Sequence, residues 1–243
     1  MPSAFYLFGG TSRTIIPAEL SSTGELLKHL GVSPAELKKI WWFRHRMYSH
    51  FNISKRSGKV RVINAPDYRL KMLQQKIARI LSGLYNPRNP VHGFVPDRSV
   101  RSNAEAHLRR RFILNVDIKN FFLAITEARV RGLLESIGID TDVAETIARI
   151  CTNNGCLPQG APSSPVISNM ICFRLDKSLM AFSKEHRLLY TRYADDITLS
   201  SFQPPTALFE GDRPDSGRLH SEKLSGELLS ILGNNGFDLN PEK

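Results

Sequence analysis

The alternation of hydrophobic and polar positions opens with two short helices. In "SSTGELLKHLG", Ser22 stands as an N-cap with Glu25 three residues on, before an apolar turn that ends at Gly31. "SPAELKKIWWFRHRMY" repeats the device, with Ser33 as cap, Pro34 at the first helical position and Glu36 closing the box. Trp41, Trp42 and Phe43 follow on this helix and are expected to pack in the core, with stacking on nucleic-acid bases as the alternative. "FNISKRSGKVRVINAP" then alternates as a β-hairpin around Ser57-Gly58 and stops at Pro66. The next segment, "DYRLKMLQQKIARILSGL", is helical in period. Leu70, Leu73, Ile77, Leu81 and Leu84 form its stripe, and Arg69, Lys71, Lys76 and Arg79 lie on the other face.

Residues 85–100, rich in Pro and turn formers, read as loop. "SNAEAHLRR" is a short helix before the apolar strand "FILNVDI". Helices are expected near 126–137 and 142–151, then the loop "TNNGCLPQGAPSSP" and one long helix over 166–186. "LLYTRYADDITLS" has strand-forming residues on both sides of Asp195 and Asp196, so two short strands would carry both acids at a hairpin tip. Residues 203–217 are expected to form an exposed loop, 219–235 a last helix, and "GFDLNPEK" a further strand or turn.

The whole chain of 243 residues is long enough for one domain, or for two subdomains sharing a core. Its hydrophobic fraction of 41% excludes a disordered chain. No run approaches the roughly 18 apolar residues of a membrane span, and the start lacks the basic region of a signal peptide. Cys151, Cys156 and Cys172 form no paired motif, which points to a reducing cytoplasm. Charge is uneven: residues 1–112 carry a balance of +14 and residues 113–243 one of −4. A basic first half suits a polyanion, although a solvated basic surface has the same composition.

Two adjacent aspartates repel each other unless a cation offsets them, and turns alone also favour Asp. "FILNVDIKNFF" supplies a third acid, Asp117, at the end of an apolar strand. Beside the hairpin tip it would complete a three-carboxylate site for two divalent cations about 3.5–4 Å apart. Mg²⁺, which prefers oxygen ligands and phosphate-bearing substrates, is the natural ion. That chemistry is phosphoryl transfer.

"VDIKNFF", "LPQGAPSSPVISN" and "YTRYADD" resemble, in order, the palm motifs of reverse transcriptases. "SGKVRVINAPDYRLKMLQQKI" and "HGFVPDRSVRSNAEAH" are similar to the family's two fingers motifs, so the resemblance covers roughly residues 50–243. Within the second of these, Asn103, Ala104 and His107 fit the Asn-Ala-x-x-His pattern of bacterial retron reverse transcriptases. For His107 the plain alternative is a satisfied helix histidine. Retron enzymes prime on the 2′-hydroxyl of a guanosine in a structured noncoding RNA, leaving a branched RNA–DNA product (msDNA). They commonly serve phage defence with an effector protein.

The resemblance implies roles for single residues. Asp117, Asp195 and Asp196 would be catalytic and, with Ile118, would form the metal-binding set. Phe122 matches the aromatic gate that would clash with a ribose 2′-hydroxyl and so favour dNTPs, whereas Phe121 is expected to be plain core. Gln159 and Gly160 match the nucleotide-pocket loop, although "SSP" before a helix also reads as an ordinary cap. Lys59, Arg61 and Arg69 would grip the triphosphate, with Lys243 near the leaving phosphate. Arg109-Arg110-Arg111 reads as a backbone-binding or solvated run. Leu123-Ala124 stand where the family most often has Pro-Ser; neither position is a metal ligand.

The expected fold is α/β (α+β): a polymerase right hand of fingers and palm, with an antiparallel palm sheet backed by helices. Residues 1–50 would be a helical extension, 51–112 fingers, and 113–243 palm with a fingers segment interleaved near 138–165. A thumb would normally follow residue 243. The expected activity is RNA-directed DNA synthesis by a retron reverse transcriptase in the cytoplasm. It would use two Mg²⁺ ions, an RNA template and primer, and dNTPs. Two alternatives stand beside it: another bacterial reverse transcriptase, of group II intron or phage-defence type, and a non-catalytic RNA-binding scaffold.

Overall fold

A computed structural model describes residues 15–54, 60–210 and 224–240. Among these the elements, in chain order, are α1 (Thr23–Leu30), α2 (Pro34–Phe43), β1 (Tyr48–Ser54), β2 (Val60–Pro66), α3 (Tyr68–Leu84), α4 (Val100–Ala106), β3 (Phe112–Asp117), α5 (Glu127–Ser136), α6 (Thr141–Cys151), α7 (Ser164–Ile171), α8 (Phe173–Glu185), β4 (Leu189–Tyr193), β5 (Asp196–Ser201) and α9 (Gly226–Asn234). The chain divides into two compact units, Met1–Asn86 with Ile125–Ile171, and Pro87–Ala124 with Cys172–Lys243. The fold is a mixture of helices and antiparallel sheet, as the sequence predicts.

In the first unit the helix starts follow the caps. Ser22 accepts from the Glu25 amide, and Ser33 and Glu36 close a capping box across Pro34. Leu26, Leu27, Leu30, Leu37 and Ile40 are buried. Trp42 and Phe43 correct the expectation of core, being 76% and 50% exposed. At 100° per residue, a face holding Leu37 and Ile40 takes Trp41 next and turns its two successors outward. Trp41 is half-buried, with the Arg149 guanidinium 4.6 Å from its ring centroid.

Strands β1 and β2 pair antiparallel from Tyr48↔Pro66 to Ser54↔Val60. Beyond Tyr48 the β1 residues are all exposed, whereas Ile63–Pro66 of β2 are half-buried. The predicted Ser57-Gly58 turn and Lys59 lie outside the described residues. On α3, which Asp67 caps, Leu70, Leu73, Ile77 and Leu81 are buried and Leu84 is half-buried. Gln74 is fully buried among them, donating to the Tyr48 hydroxyl at 2.8 Å and the Ile150 carbonyl at 2.9 Å. Those bonds join α3 to β1 and α6 and take up the amide hydrogens, while the buried Oε1 has no hydrogen-bond partner among the described residues.

The long helix expected over 166–186 is two helices, α7 and α8, broken at Cys172 (ψ −5°). No Gly or Pro marks the break. In the second unit a three-stranded antiparallel sheet runs in the order β3-β5-β4. Leu114, Val116, Tyr190, Ile197 and Leu199 build its core with Leu175, Leu179 and Phe182 of α8 and Leu228 and Leu232 of α9. The exposed loop expected from 203 instead buries Pro205 and Leu208 around a 3₁₀ turn, Thr206–Leu208; its part from 211 lies outside the described residues. The last described helix starts at Gly226, because Ser225 caps it and Leu224 is taken up in a β-bridge with Phe209; the part expected over 219–223 lies outside the described residues.

Candidate active site

Strand β3 ends at Asp117, opposite Asp196, the first residue of β5. Strands β4 and β5 pair up to Tyr193↔Asp196, so Ala194 and Asp195 form a two-residue turn. Ala194 has φ 57°, a backbone region that few residues other than glycine adopt. The Ile118 amide donates to the Asp195 carbonyl at 3.0 Å, tying the end of β3 to that turn. One carboxylate oxygen each from Asp117, Asp195 and Asp196 lie within 4.8 Å of one another, and all three residues are half-buried. Like charges this close repel, and an oxygen-only donor set suits a hard divalent cation. The cluster can hold a metal ion.

Sequence reasoning missed one contributor. Asn240 donates from Nδ2 to Asp117 Oδ2 at 3.1 Å and from its amide to the Asp117 carbonyl at 2.8 Å. Leu239 bridges Ile118, and the Lys119 amide donates to the Asp238 carbonyl. The predicted strand or turn at "GFDLN" therefore borders the acid cluster. A second grouping, Glu185, His186 and Glu227, joins the end of α8 to the first turn of α9, and its glutamates are exposed.

Phe122 lies in the same unit, half-buried, with its ring centroid 6.3 Å from Phe94 and 5.2 Å from Phe121. Phe121 is buried and stacks on Phe237, as expected of core. Behind the hairpin, Arg192 of β4 is fully buried against Asp176 of α8, with Nε to Oδ1 at 2.7 Å and Nη2 to Oδ2 at 2.9 Å. Tyr190 donates its hydroxyl to Asp176 Oδ1 at 2.6 Å. Burial works against the Arg192 charge, but Asp176 outweighs it and holds the guanidinium protonated. Burial, then the Asp176 charge, pushes the Tyr190 phenol up.

The Asn-Ala-x-x-His residues occupy α4 and its end. Ala104 is exposed, and the Asn103 Oδ1 is buried with no hydrogen-bond partner among the described residues. His107 is buried at the helix C-cap. Its Nδ1 pairs with the Ser200 hydroxyl of β5 at 2.6 Å and its Nε2 with the Thr191 hydroxyl of β4 at 2.7 Å. Burial, then the Arg110 and His92 charges, lowers its pKa to about 4.

In the first unit, the Gln159 carbonyl accepts from the Asn64 amide of β2 at 2.8 Å. Gly160 has φ 120°, and a β-carbon there would come within 2.8 Å of Ile63 Cγ2. The loop is thus seated directly on the hairpin backbone. Arg69 is ion-paired with Glu36, whose carboxyl is held below its usual range first by the Ser33 amide. Arg61 pairs with Ile53 in the ribbon; its side chain, like all of Lys59 and Lys243, lies outside the described residues.

Residues 53–243 match the family described as "Reverse transcriptase (RNA-dependent DNA polymerase)". The chain belongs to the reverse transcriptase family. It is 36% identical over 218 residues to the retron Mx65 reverse transcriptase of Myxococcus xanthus, covering 82% of this chain and 48% of that protein. Against the retron Ec86 reverse transcriptase of Escherichia coli it is 34% identical over 207 residues, covering 83% and 63%. The chain spans about half the length of the curated relatives it matches. Among solved structures, the telomerase of Candida albicans in complex with a fragment of telomeric RNA aligns with TM-score 0.46 and 14% identity, over 64% of this chain and 38% of that one. No described helix of this reverse transcriptase chain is long and apolar enough to cross a membrane.

Proposed function

We propose that this chain carries the polymerase centre of a retron reverse transcriptase, copying a noncoding RNA into cDNA with a branched RNA–DNA product. The observation that carries the reading is the convergence of Asp117, Asp195 and Asp196 at one end of an antiparallel sheet. It rests equally on the similarity to retron enzymes over most of the chain.

In this reading Asp117, Asp195 and Asp196, with the Ile118 backbone, hold two Mg²⁺ ions. When bound, such ions lower the pKa of an attacking hydroxyl and offset charge on the pyrophosphate leaving group. The chain's own part is to gather the three carboxylates before substrate arrives. Asn240 orients Asp117, and the Ala194–Asp195 turn orients the other two. Phe122, packed between Phe94 and Phe121, stands as the apolar gate against the ribose 2′-hydroxyl. Gln159 and Gly160 bound the nucleotide pocket, and Lys59, Arg61, Arg69 and Lys243 contribute positive charge toward phosphates. Residues 51–112 act as fingers and 113–243 as palm, with fingers residues interleaved near 138–165. The enzyme works in the cytoplasm, consistent with three free cysteines, and in phage defence beside an effector protein.

The test is extension of a DNA primer on an RNA template with Mg²⁺ and dNTPs, with Asp195→Asn as control. Extension is expected from the wild type and not from the variant, while RNA binding persists in both. Equal extension by Asp195→Asn would remove the metal assignment. RNA binding without extension by either chain, even with a thumb segment supplied, would favour the scaffold.

A further inference from the structure

Arg192 and Asp176 are both fully buried in the second unit. Exchanging a buried ion pair for well-packed apolar side chains is often neutral or stabilising, so the Arg192–Asp176 pair is not explained by stability alone. A further contact is more telling. Arg192 Nη1 donates at 3.0 Å to the carbonyl of Ala194, two residues ahead. Ala194 is the turn residue with φ 57°, and its carbonyl belongs to the peptide that leads into Asp195. The Arg192 main chain is fixed as well. Its amide donates to the Pro90 carbonyl at 2.9 Å, and its carbonyl accepts from the His92 amide at 2.8 Å.

The guanidinium therefore spans two rigid anchors. One fork grips a carboxylate on α8, itself held by the Tyr190 hydroxyl. The other side holds the turn in a conformation that a non-glycine residue does not choose by itself. A planar fork can satisfy both at once, which a lysine ammonium on a flexible stem cannot.

We infer that Arg192, clamped by Asp176, is a positioning residue for the acid cluster: it fixes the Ala194 peptide and with it the reach of Asp195 and Asp196 toward Asp117. The inference rests on the proposal that this cluster binds the catalytic metal. It adds a requirement that the carboxylates alone do not impose, namely a preset turn.

The test separates positioning from folding. In the combined variant Arg192→Met, Asp176→Leu and Tyr190→Phe, the ion pair and its phenol become apolar together, and the Ala194 carbonyl loses its Arg192 donor, which is the contact under test. A second variant, Arg192→Lys, keeps the charge opposite Asp176 but loses the fork. Thermal melting is read first, then Mn²⁺ binding by water-proton relaxation without substrate, then the Mg²⁺ dependence of primer extension. Both variants are expected to fold and to bind RNA as the wild type does. Mn²⁺ affinity should fall about ten- to a hundredfold, with a matching rise in the Mg²⁺ needed for half-maximal extension, as when supporting contacts of metal ligands are removed.

A folded variant with wild-type Mn²⁺ affinity and Mg²⁺ requirement would overturn the inference. Failure of both variants to fold would overturn it too, by assigning the network to stability. Absence of Mn²⁺ binding by the wild-type chain, with Asp195→Asn as the blank, would instead overturn the metal reading itself, and positioning would fall with it.

Discussion

The backbone of Gly93 lies directly against that of Ala194. A β-carbon built on Gly93 would overlap the Ala194 amide nitrogen and come within 2.9 Å of the Tyr193 carbonyl carbon. Val91 forms a parallel bridge to Arg192, so this segment runs as a short extra edge beside β4 and ends under the Ala194–Asp195 turn. Gly93→Ala must move one backbone or the other. The expected cost is about 1–3 kcal/mol of stability, as for other overpacked sites, together with loss of most primer extension. Melting and extension assays on the purified variant check this, and wild-type values for both would mean that the contact is slack.

Phe122 has aromatic neighbours on two sides, Phe121 beneath and Phe94 beside it, and Phe94 is itself 44% exposed with φ 60°. As the sugar gate, Phe122→Ala should raise ribonucleotide incorporation relative to dNTP by tenfold or more, on the order of the discrimination that one lost contact gives. Phe94→Ala, which removes only the side support, should give a smaller rise in the same direction. Competition between rNTP and dNTP in single-nucleotide extension measures both. Unchanged sugar selectivity in Phe122→Ala would remove the residue from the gate.

Much of this was legible in the chain because local signals and tertiary structure agree. Ser22, Ser33 and Asp67 start helices where caps predict them, and strand-forming residues around Asp195 and Asp196 make the hairpin that presents both acids. Asp117 meets them because the β3–β5 register brings it opposite Asp196. What escaped notice depends on partners distant in sequence. Asn240 acquires its role only by lying beside Asp117, 123 residues away. Gln74 and Arg192 sit in apolar patterns, and the groups that take the Gln74 amide hydrogens and the Arg192 charge, Tyr48, Ile150 and Asp176, come from distant parts of the chain. The break at Cys172 has no breaker residue, so periodicity runs through it unmarked.

Gly160 gives an independent handle on the loop. Its φ of 120° and the 2.8 Å approach of a would-be β-carbon to Ile63 leave no room for a side chain. Gly160→Ala should lift the loop from β2 and disturb the neighbouring Gln159–Asn64 bond. If the loop bounds the nucleotide pocket, the KM for dNTP should rise several-fold or more, with RNA affinity unchanged. Steady-state extension against dNTP concentration, beside an RNA-binding titration, reads the two separately. A lower RNA affinity with unchanged KM would move the loop out of the pocket and onto the nucleic acid.

His107 makes stability depend on acid in a calculable direction. The folded state holds the ring largely neutral between Ser200 and Thr191, with a pKa lowered from 6.5 to about 4 by burial and by the charges of Arg110 and His92. His92 is itself held down by burial and by Arg98, and a proton on it opposes one on His107. The unfolded chain therefore binds more protons than the folded one between those values. The His107 contribution is fully present above pH 6.5 and is lost as pH falls toward 4, amounting to on the order of 2–3 kcal/mol. His107→Gln keeps a donor and an acceptor but cannot titrate, so its stability should fall less over the same window. Urea unfolding at half-unit steps from pH 7 to pH 4.5 compares the slopes. Parallel curves would show that another group binds the proton, whereas a flatter variant curve would identify His107 as the acid-sensitive pin between α4 and the hairpin that carries Asp195 and Asp196.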